Sequence, residues 1–506
     1  MNATRIYLGY EALIRQYQLR VPPLRSVYAA TSRSSQTRTV NADGEEFIEL
    51  PRMQDITTLV GHLTFAFKRE HLNLTVLGAL FERPEVIGEL QSWLFHKPTS
   101  KYARMAGHLA TWLTGHEFDY ALPAGAPRVA LLDKQQYVVA TGTTDPQFGV
   151  VNNLIGSRWF SPLIRRSERL EALTRENLAG KVSAAINAIE PEMLFRAVDY
   201  LYLSETRSTY TIEDEVADNQ RQARFRHLLE LAGEPGRLTE DQICEWQSQI
   251  VSALSAEAHF RTVQNWLSRA GRLRNVADFI PAPPDFVIPM MESVADVAAL
   301  AGHKGYDAVL MATCASFGFV FVHPLLDGNG RLHRFILHHV LRQAGFTPQG
   351  VVLPLSARML KQLDRYSALL KRYSRPRTDL VDYALDADSA SIHVRSQQPL
   401  WLYAYFDATD ICEFILECCK ACVEEDLVAE VEYLRAHDAT MRELEVWLDM
   451  RQAALVSLID VIVQGNGTLS KRKHKLVEGR TPEEIARIEA TVSAHFADYI
   501  DRRANQ

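Results

Sequence analysis

The 506-residue chain has an excess of acidic side chains and no long apolar run. Its 55 Lys and Arg residues are outnumbered by 62 Asp and Glu residues, which gives a net charge of −7. Bulk binding to nucleic acid needs a concentrated positive surface that displaces phosphate counterions, so nucleic acid is an unexpected partner. No apolar run reaches the ~20 residues that span a bilayer, and the first residues lack a signal-peptide core. We therefore expect a cytoplasmic protein without a membrane partner.

Cysteine is also scarce, and its distribution limits the metal chemistry. Six cysteines are present, and four of them fall in the segment ICEFILECCKAC (411–422). A zinc site usually draws on a second Cys or His cluster at a recognisable spacing, and the sequence shows none. We therefore expect buried free thiols in a reducing compartment rather than disulfides or a metal site.

Apolar residues make up 47% of the chain, and their spacing predicts a mainly α-helical protein. Helical periodicity dominates 56–120 and returns near residue 173, whereas 121–170 combines turn residues with short β-prone pieces. The polar stretch 32–47 is typical of a surface loop. The segment FIPAPPDFVIP (279–289) predicts an extended or hairpin-like flap, because proline fixes φ and lacks a donor. The length predicts about three domains. We place them at residues 1–170 (an accessory domain, α with some β), 171–375 and 376–506 (C-terminal helices).

A run of small and cationic residues, HPLLDGNGRLHR, stands between two apolar stretches. Gly328, Asn329 and Gly330 come just before a predicted helix, whose first backbone amides have no partners within the helix. The glycines let a phosphate approach those amides closely, and the helix dipole favours its negative charge. Arg331 and Arg334 are three residues apart, so both guanidinium groups can bind the same anion. The pattern predicts a phosphate-binding loop.

Two further residues of this run carry groups suited to catalysis. Asp327 supplies a hard oxygen ligand for a magnesium ion that bridges phosphates. His323, the first residue of the run, follows the apolar stretch FGFVFV and is close enough to act as a general base. A second Gly-Asn-Gly, in QGNGTLSKRK (464–473), has neither the upstream His and Asp nor the two arginines, so we interpret it as a turn. The full conjunction predicts a site that binds a nucleoside triphosphate and deprotonates an incoming hydroxyl.

HPLLDGNGRLHR resembles the signature of Fic domains, H-P-F-x-D-G-N-G-R-x-x-R, with Leu325 in place of the usual Phe. Three flanking segments are also similar to the family. They are RTVQNWL (261–267), FIPAPPDFVIPMMESV (279–294) and LSARMLKQLDRYSALL (355–370). The resemblance covers about 180–375 and implies a Fic-type helical core with a small β-hairpin flap. The remaining residues are more weakly similar to accessory regions of long bacterial members.

The resemblance implies that AMP passes from ATP to a Tyr, Ser or Thr of a target protein, with pyrophosphate leaving. His323 would accept the hydroxyl proton, and Asp327 would hold Mg²⁺ against the α- and β-phosphates. The Gly-Asn-Gly turn and Arg331 would cradle those phosphates, and Arg334 would reach the γ-phosphate. Family members that phosphorylate carry a lysine where Gly330 stands, so the glycine favours adenylyl transfer. The reaction requires positioning and charge neutralisation, which these residue types can supply.

The resemblance also implies roles outside the motif. Tyr366 would border the adenine. The flap, Asp278–Ile288, would bind the target segment as an added strand, although an ordinary proline-rich loop fits the same sequence. Residues 1–170 and 376–506 offer surfaces for a partner, for a homodimer, or for support of the core.

The segment STYTIEDE resembles the inhibitory motif [S/T]-x-x-x-E-[G/N] of self-inhibited Fic proteins. Thr209 and Glu213 match it, on a helix predicted near 204–216. Glu213 would pair with Arg334 and deny that arginine to the γ-phosphate. Asp214 departs from the pattern, and a solvated acidic helix face is the competing interpretation.

Two alternative functions remain open at this point. The same site could remove AMP from modified proteins, with Glu213 orienting a water molecule. A regulatory DNA-associated module is the more distant alternative, since LIDVIVQGNGTLSKRKHKL (458–476) places a basic turn after a helix.

Overall fold

The computed structural model describes residues 5–31, 37–42, 45–51, 56–268, 276–386 and 391–504. Helices dominate, and the strands form small sheets, so the prediction of a mainly α protein is confirmed. Contacts divide the chain into two compact units that are each discontinuous in sequence. The first comprises Met1–Arg175, Leu231–Ala344 and Gln362–Leu416, and the second comprises Glu176–Glu230, Gly345–Lys361 and Glu417–Gln506. The three-domain division stays a prediction.

The N-terminal part of the first unit combines short strands with a cluster of helices. Its strands are β1 Arg5–Tyr7, β2 Val27–Thr31, β3 Arg38–Ala42, β4 Glu45–Pro51, β5 Val129–Ala130, β6 Thr143–Asp145, β7 Val150–Asn152 and β8 Ser161–Leu163. Its helices are α1 Gly9–Gln16, α2 Leu59–Arg69, α3 Leu74–Phe81, α4 Pro84–His96, α5 Lys101–Thr114 and α6 Glu168–Thr174. The sheets have the orders β1-β2-β4-β3 and β5-β7-β6. The strands after Val129 confirm that 121–170 is partly extended.

Helices make up the middle of the chain. They are α7 Leu178–Asn187, α8 Pro191–Ile212, α9 Asn219–Glu230, α10 Glu240–Ile250, α11 Pro284–Leu300, α12 Ala308–Val322, α13 Asn329–Gln343, α14 Leu355–Lys361 and α15 Leu363–Thr378. In the first unit, α12 packs between α11 and α13. Its sequence is apolar on all sides, which is typical of a helix at the centre of a core. Gly318 lets Phe160 approach, because a Cβ there would lie 2.4 Å from the Phe160 ring.

The C-terminal part continues with helices and a few strands. The elements are β9 Tyr383–Asp386, β10 Ser391–Val394, α16 Leu400–Ala404, β11 Tyr405–Asp407, α17 Thr409–Ala421, a π-helical turn Cys422–Asp426, α18 Leu427–Glu445, α19 Gln452–Gln464, a 3₁₀ helix Lys471–Val477, α20 Pro482–His495 and α21 Ala497–Ala504. The β9–β10 hairpin and β11, which pairs in parallel with β8, were not predicted. All six cysteines are free and buried, as predicted.

Two local predictions were wrong. The flap prediction fails from Pro284 onward, because α11 begins there and contains Pro289. The N–H of the first helical residue has no partner within a helix, so a proline is compatible with that position. Pro289 removes one backbone hydrogen bond inside α11, and the burial of Val287, Met290 and other apolar side chains offsets this loss. The predicted surface loop 32–47 is also wrong in part, because β3 and the start of β4 lie within it. Residues 32–36 and 43–44 of that prediction lie outside the described residues.

Candidate active site

The HPLLDGNGRLHR run joins the C-terminus of α12 to the N-terminus of α13. His323 is the C-cap of α12 and has left-handed backbone angles, φ 54° and ψ 59°. Pro324 follows it and cannot continue the helix. Gly328, with φ 87°, is the N-cap of α13, which begins at Asn329, two residues earlier than the sequence predicted. The left-handed conformation at Gly328 is accessible to glycine at little cost, and this explains the first glycine of the motif.

His323 is held in a defined tautomer. Its Nδ1 lies 3.2 Å from the carbonyl oxygen of Val320, which can only accept a hydrogen bond. Nδ1 therefore carries the hydrogen in the neutral ring, and Nε2 carries the lone pair. The residue is only 5% exposed, and the Phe279 ring meets it edge-on at 6.4 Å. Nε2 is thus the atom that can accept a proton.

Arg261 fixes the backbone that carries this histidine. Its Nε donates to the carbonyl of His323 at 2.8 Å, and its Nη2 donates to Ala282 O at 2.5 Å and to Val322 O at 3.3 Å. Two of these carbonyls, those of Val322 and His323, lie at the C-terminal end of α12, where the helix dipole favours a cation. Burial lowers the pKa of Arg261 to about 10. The RTVQNWL pattern does not by itself indicate this role for its arginine, because the partners of Arg261 at the end of α12 lie about 60 residues away.

The side chain of Asn329 closes the loop on itself. Its Nδ2 donates to Leu325 O at 2.7 Å, and its Oδ1 accepts from Leu325 N at 3.1 Å. Asn329 is 2% exposed, so its side chain is committed to the loop. The group of Asn329 that can bind a phosphate is therefore its backbone amide, at the start of α13.

A carboxylate that the sequence did not reveal braces the same loop. Glu257 accepts hydrogen bonds from Leu326 N at 2.9 Å and Asp327 N at 3.4 Å. The buried Gln247 donates to Glu257 Oε1 at 2.9 Å and to the carbonyl of Asp327 at 3.2 Å. Burial raises the pKa of Glu257, while the two loop amides oppose that rise. Glu257 lies about 70 residues from its partners in sequence, so no local pattern marks it.

Asp327 and Arg331 form an ion pair one helical turn apart. Asp327 Oδ1 accepts from Gly328 N at 2.6 Å and from Arg331 Nη2 at 3.1 Å. Arg331 Nη1 also donates to Ile250 O at 3.0 Å, at the end of α10. The Arg331 side chain is 3% exposed, whereas that of Asp327 is 52% exposed. An accessible carboxylate of this kind fits a magnesium ion that takes its other ligands from substrate phosphates and water.

Arg334 lies on α13, three residues after Arg331, and is 1% exposed. Beside it, His333 Nδ1 lies 2.7 Å from Ser316 Oγ. Burial lowers the pKa of His333 to about 3, and the neighbouring Arg334 acts in the same direction. The structure therefore places the predicted base, magnesium ligand, glycines and arginines at one helix–loop–helix junction.

Residues 237–341 match the model of the Fic/DOC family. The chain contains a Fic domain. The protein adenylyltransferase fic-1 of Caenorhabditis elegans is 29% identical over 147 residues, which cover 29% of this chain and 27% of the worm protein. The protein adenylyltransferase Fic of Nematostella vectensis is 30% identical over 83 residues, covering 16% of this chain and 19% of that protein. The chain thus spans about a quarter or less of the length of these relatives.

Solved structures with the same family description are also similar to this chain. A Fic family protein from Desulfovibrio desulfuricans is 17% identical, with a TM-score of 0.36, and the match covers 66% of this chain and 91% of that one. A Fic domain containing signaling protein from Bacteroides thetaiotaomicron is 18% identical, with a TM-score of 0.37, and the match covers 52% and 96%.

Tyr366 packs against the Fic motif from α15. It is 3% exposed, and its ring is nearly parallel to that of His333 at 6.2 Å between centroids. Phe317 meets it edge-on at 6.2 Å, and Phe414 lies at 6.3 Å. These contacts explain why an aromatic ring stands here, while its place beside an adenine stays a prediction.

The predicted inhibitory segment ends α8. Thr209 is buried within the helix, and Glu213 is its exposed C-cap. The helix therefore stops at Ile212 instead of running to 216. The pairing of Glu213 with Arg334 stays a prediction.

The backbone after Glu213 explains the last position of the inhibitory motif. Asp214 has φ 56°, in the left-handed region that glycine and asparagine adopt most readily. Asp214 N donates to Thr211 O at 3.1 Å, and Glu215 N donates to Tyr210 O at 3.0 Å. This pair of bonds is a Schellman motif. The aspartate thus takes the conformation for which the family uses Gly or Asn.

Other surfaces of the chain add little to the site. Within the described ranges, no helix is long and apolar enough to cross a bilayer, and no group of three or more His, Cys, Asp and Glu side chains is arranged to hold a metal ion. The basic KRKHK turn lies in the 3₁₀ helix Lys471–Val477 rather than in the β-hairpin that a winged helix would place after its helices.

Proposed function

We propose that the Fic domain transfers AMP from ATP to a side-chain hydroxyl of a target protein. The observation that carries this proposal is the tautomer of His323, which presents a proton-accepting Nε2 at the end of α12, beside the glycine loop that begins α13. Curated relatives over this region are named protein adenylyltransferases. The free, buried cysteines suit a reducing compartment, so we place the reaction in the cytoplasm.

The reaction joins a target oxygen to the α-phosphorus of ATP. The hydroxyl of a target Tyr, Ser or Thr attacks that phosphorus, the bond from phosphorus to the α,β-bridging oxygen breaks, and pyrophosphate leaves. The hydroxyl proton passes to Nε2 of His323. Because Arg261 donates to the carbonyls of Val322 and His323, the imidazole keeps its position as the proton arrives.

The loop supplies charge neutralisation. The amides at the start of α13 and the guanidinium of Arg331 would bind the α- and β-phosphates, and Arg334 would bind the γ-phosphate. Asp327 would hold Mg²⁺ with the substrate phosphates, and the ion, when bound, offsets charge that develops on the leaving pyrophosphate. The phosphates would compete with Asp327 for the guanidinium of Arg331. The hydrogen bond between Arg331 and Asp327 must therefore weaken as the nucleotide binds.

The target segment would bind beside the flap. Leu267 and Phe279 form an antiparallel bridge, with Leu267 N donating to Phe279 O at 2.8 Å and Asp278 N donating to Leu267 O at 2.7 Å. Only the part of the predicted flap before Pro284 is extended, so the strand offered to a target is short. Recognition of this kind uses backbone bonds and tolerates many target sequences.

We further propose that Glu213 restrains the enzyme. With α-labelled ATP, the Glu213→Gly variant should label itself or lysate proteins several-fold faster than the wild-type chain, because a competitor of the γ-phosphate is removed. The double variant Glu213→Gly/His323→Ala should lose the label. Glu192→Gly, another exposed acidic residue on α8, is the matched control and should label at the wild-type rate.

The position of the isotope separates this reaction from phosphorylation. ATP labelled at the γ-phosphate should leave the target unlabelled, and mass spectrometry should find AMP on Tyr, Ser or Thr. Equal labelling by Glu213→Gly and wild type would contradict the proposed inhibition by Glu213. Labelling of the target only from the γ-phosphate would contradict adenylyl transfer.

A further inference from the structure

A basic cleft of about 940 Å³ lies in the N-terminal part of the first unit, away from the Fic motif. Five cationic side chains line it: Lys68 and Arg69 at the end of α2, Lys101 at the start of α5, and Arg128 and Lys134 on either side of β5. All five are exposed. Within the described part of the chain, none of them forms an ion pair with a carboxylate.

The opposing acidic groups are few. Glu70 and Asp133 are the carboxyl side chains of the cleft wall. Glu70 Oε1 accepts from Tyr10 N at 2.9 Å and so caps α1, and burial raises its pKa to about 8, which leaves it largely neutral near pH 7. A chain with a net charge of −7 therefore concentrates positive charge in this cleft. Such a potential attracts an anionic partner.

The cleft also contains the free edge of a sheet. In the order β5-β7-β6, strand β5 is at the edge, and its pairing partner β7 lies on one side of it. On that side, Val129 N donates to Gly149 O, and Leu131 N donates to Val151 O. The N–H and C=O of the intervening Ala130, which is exposed and lines the cleft, therefore face away from β7. An extended chain could pair with them.

Phe67, Tyr102 and Tyr137 line the cleft, and Tyr137 is only 4% exposed. The rings of Phe67 and Tyr102 are stacked, with 6.3 Å between centroids and 15° between planes. The ammonium groups of Lys68 and Lys101 lie 5.3 Å and 5.7 Å from the Tyr102 centroid. A nucleobase would need an uncovered ring for stacking, so these contacts favour a ligand recognised by charge and backbone.

We propose that this cleft binds an extended acidic peptide segment, which adds to the edge of β5 while its carboxylates meet the five cations. If the proposed adenylyl transfer holds, the segment belongs to the target protein, and the cleft selects targets with an acidic stretch. The flap would then bind the modified residue, and the cleft would supply the sequence preference that backbone pairing lacks.

The fold sets the distance between the two sites. Thr141, in the cleft wall, donates its N–H to the hydroxyl of Tyr306, just before α12 begins. His323 ends the same helix, and a helical path of this length measures about 25 Å. A linear target therefore needs at least about eight extended residues between its acidic stretch and its modified hydroxyl.

Binding can be measured without ATP, with a fluorescein-labelled oligoglutamate peptide and the full chain. Fluorescence anisotropy should show binding that weakens with added salt, because the contacts are exposed charges. The Lys101→Glu/Lys134→Glu variant should bind at least about tenfold more weakly, since like charges then face each other. Lys304→Glu, an exposed lysine of the same unit outside the cleft, should bind as wild type does.

Competition identifies the ligand class. Unlabelled oligoglutamate should displace the probe at lower concentrations than sodium triphosphate or oligothymidylate. Stronger displacement by triphosphate would overturn the peptide assignment in favour of a small-anion site, and stronger displacement by oligothymidylate would overturn it in favour of nucleic acid. Equal affinity of wild type and Lys101→Glu/Lys134→Glu for the peptide would show that the peptide does not bind in this cleft, and would overturn the proposal.

The outcome is independent of the Fic chemistry. His323→Ala should bind the peptide as wild type does. Peptide binding by the Glu213→Gly chain without any AMP transfer would support the cleft and contradict the enzyme proposal. Retained transfer with no peptide binding would do the reverse.

Discussion

At the scale of single residues, the loop between α12 and α13 is held by side chains that lie outside the HPLLDGNGRLHR run. Arg261 and Glu257 hold the two ends of the loop between α12 and α13, one through helix carbonyls and the other through loop amides. Arg261 lies 62 residues from His323, and Glu257 lies 69 residues from Leu326. The loop is therefore shaped by tertiary contacts, although its reactive groups are adjacent in sequence.

Arg261→Lys should separate positioning from folding. Lysine cannot donate in several fixed directions as the guanidinium does, so the carbonyls of α12 lose partners. We expect the free energy of unfolding to fall by about 1–3 kcal/mol and kcat for AMP transfer to fall at least about tenfold. KM for ATP should change little. Steady-state kinetics together with urea unfolding measure the two effects.

Arg377→Lys is the matched control for that experiment. Arg377 is also a buried arginine that donates to backbone carbonyls, those of Leu402, Tyr373 and Tyr405 at 2.6–2.8 Å. It should lose comparable stability and keep its kcat. A similar fall of kcat in both variants would show that Arg261 stabilises the fold without positioning His323.

At the scale of elements, rules for local sequence succeed where partners are near in the chain. The end of α13 near Gly345 and the capping box Thr481–Glu484 follow such rules, because each depends on a few consecutive residues. The flap prediction failed at Pro284, because proline is compatible with a helix start. The pairing of β9 with β10 was not predicted, although Asp388 and Ser389 between the two strands are residues that favour turns. The contacts of Glu257 and Arg261 depend on how distant segments meet, which periodicity does not encode.

The end of α8 gives a test of backbone strain. Asp214 has φ 56°, so Asp214→Gly should raise the free energy of unfolding of the second unit by about 0.5–1 kcal/mol. Arg207→Gly, an exposed interior position of the same helix, should lower it by about 1 kcal/mol. Chemical unfolding followed by circular dichroism measures both. A loss of stability in Asp214→Gly would contradict the Schellman motif at this position.

At the scale of the whole molecule, buried histidines should make the first unit sensitive to acid. His339 is 3% exposed, packs against Trp246 and accepts from Gly233 N at 3.2 Å, and burial lowers its pKa to about 4. Below about pH 6.5 the unfolded chain binds a proton that the folded chain refuses until about pH 4. The free energy of unfolding therefore falls with pH in that window, by about 1.4 kcal/mol per pH unit for this residue.

His339→Asn isolates this contribution, because asparagine keeps an acceptor and cannot be protonated. The stability advantage of wild type over the variant should shrink by about 1.4 kcal/mol for each unit between pH 6.5 and about pH 4. Urea unfolding at several pH values gives the difference in free energy of unfolding between wild type and variant. The other titrating groups are present in both proteins, so their contributions cancel in this difference. A difference that stays constant over this range would contradict the neutral, buried state of His339.

The central claim is that His323 accepts the target's proton while the loop beside it holds the nucleotide. The most direct measurement compares wild type and His323→Ala, each also in the Glu213→Gly background, for binding of a non-hydrolysable ATP analogue by calorimetry and for AMP transfer. We predict similar affinities and a transfer rate lower by at least about a hundredfold in His323→Ala, as expected for loss of a general base. Transfer at an undiminished rate by a His323→Ala protein that still binds the analogue would contradict the account.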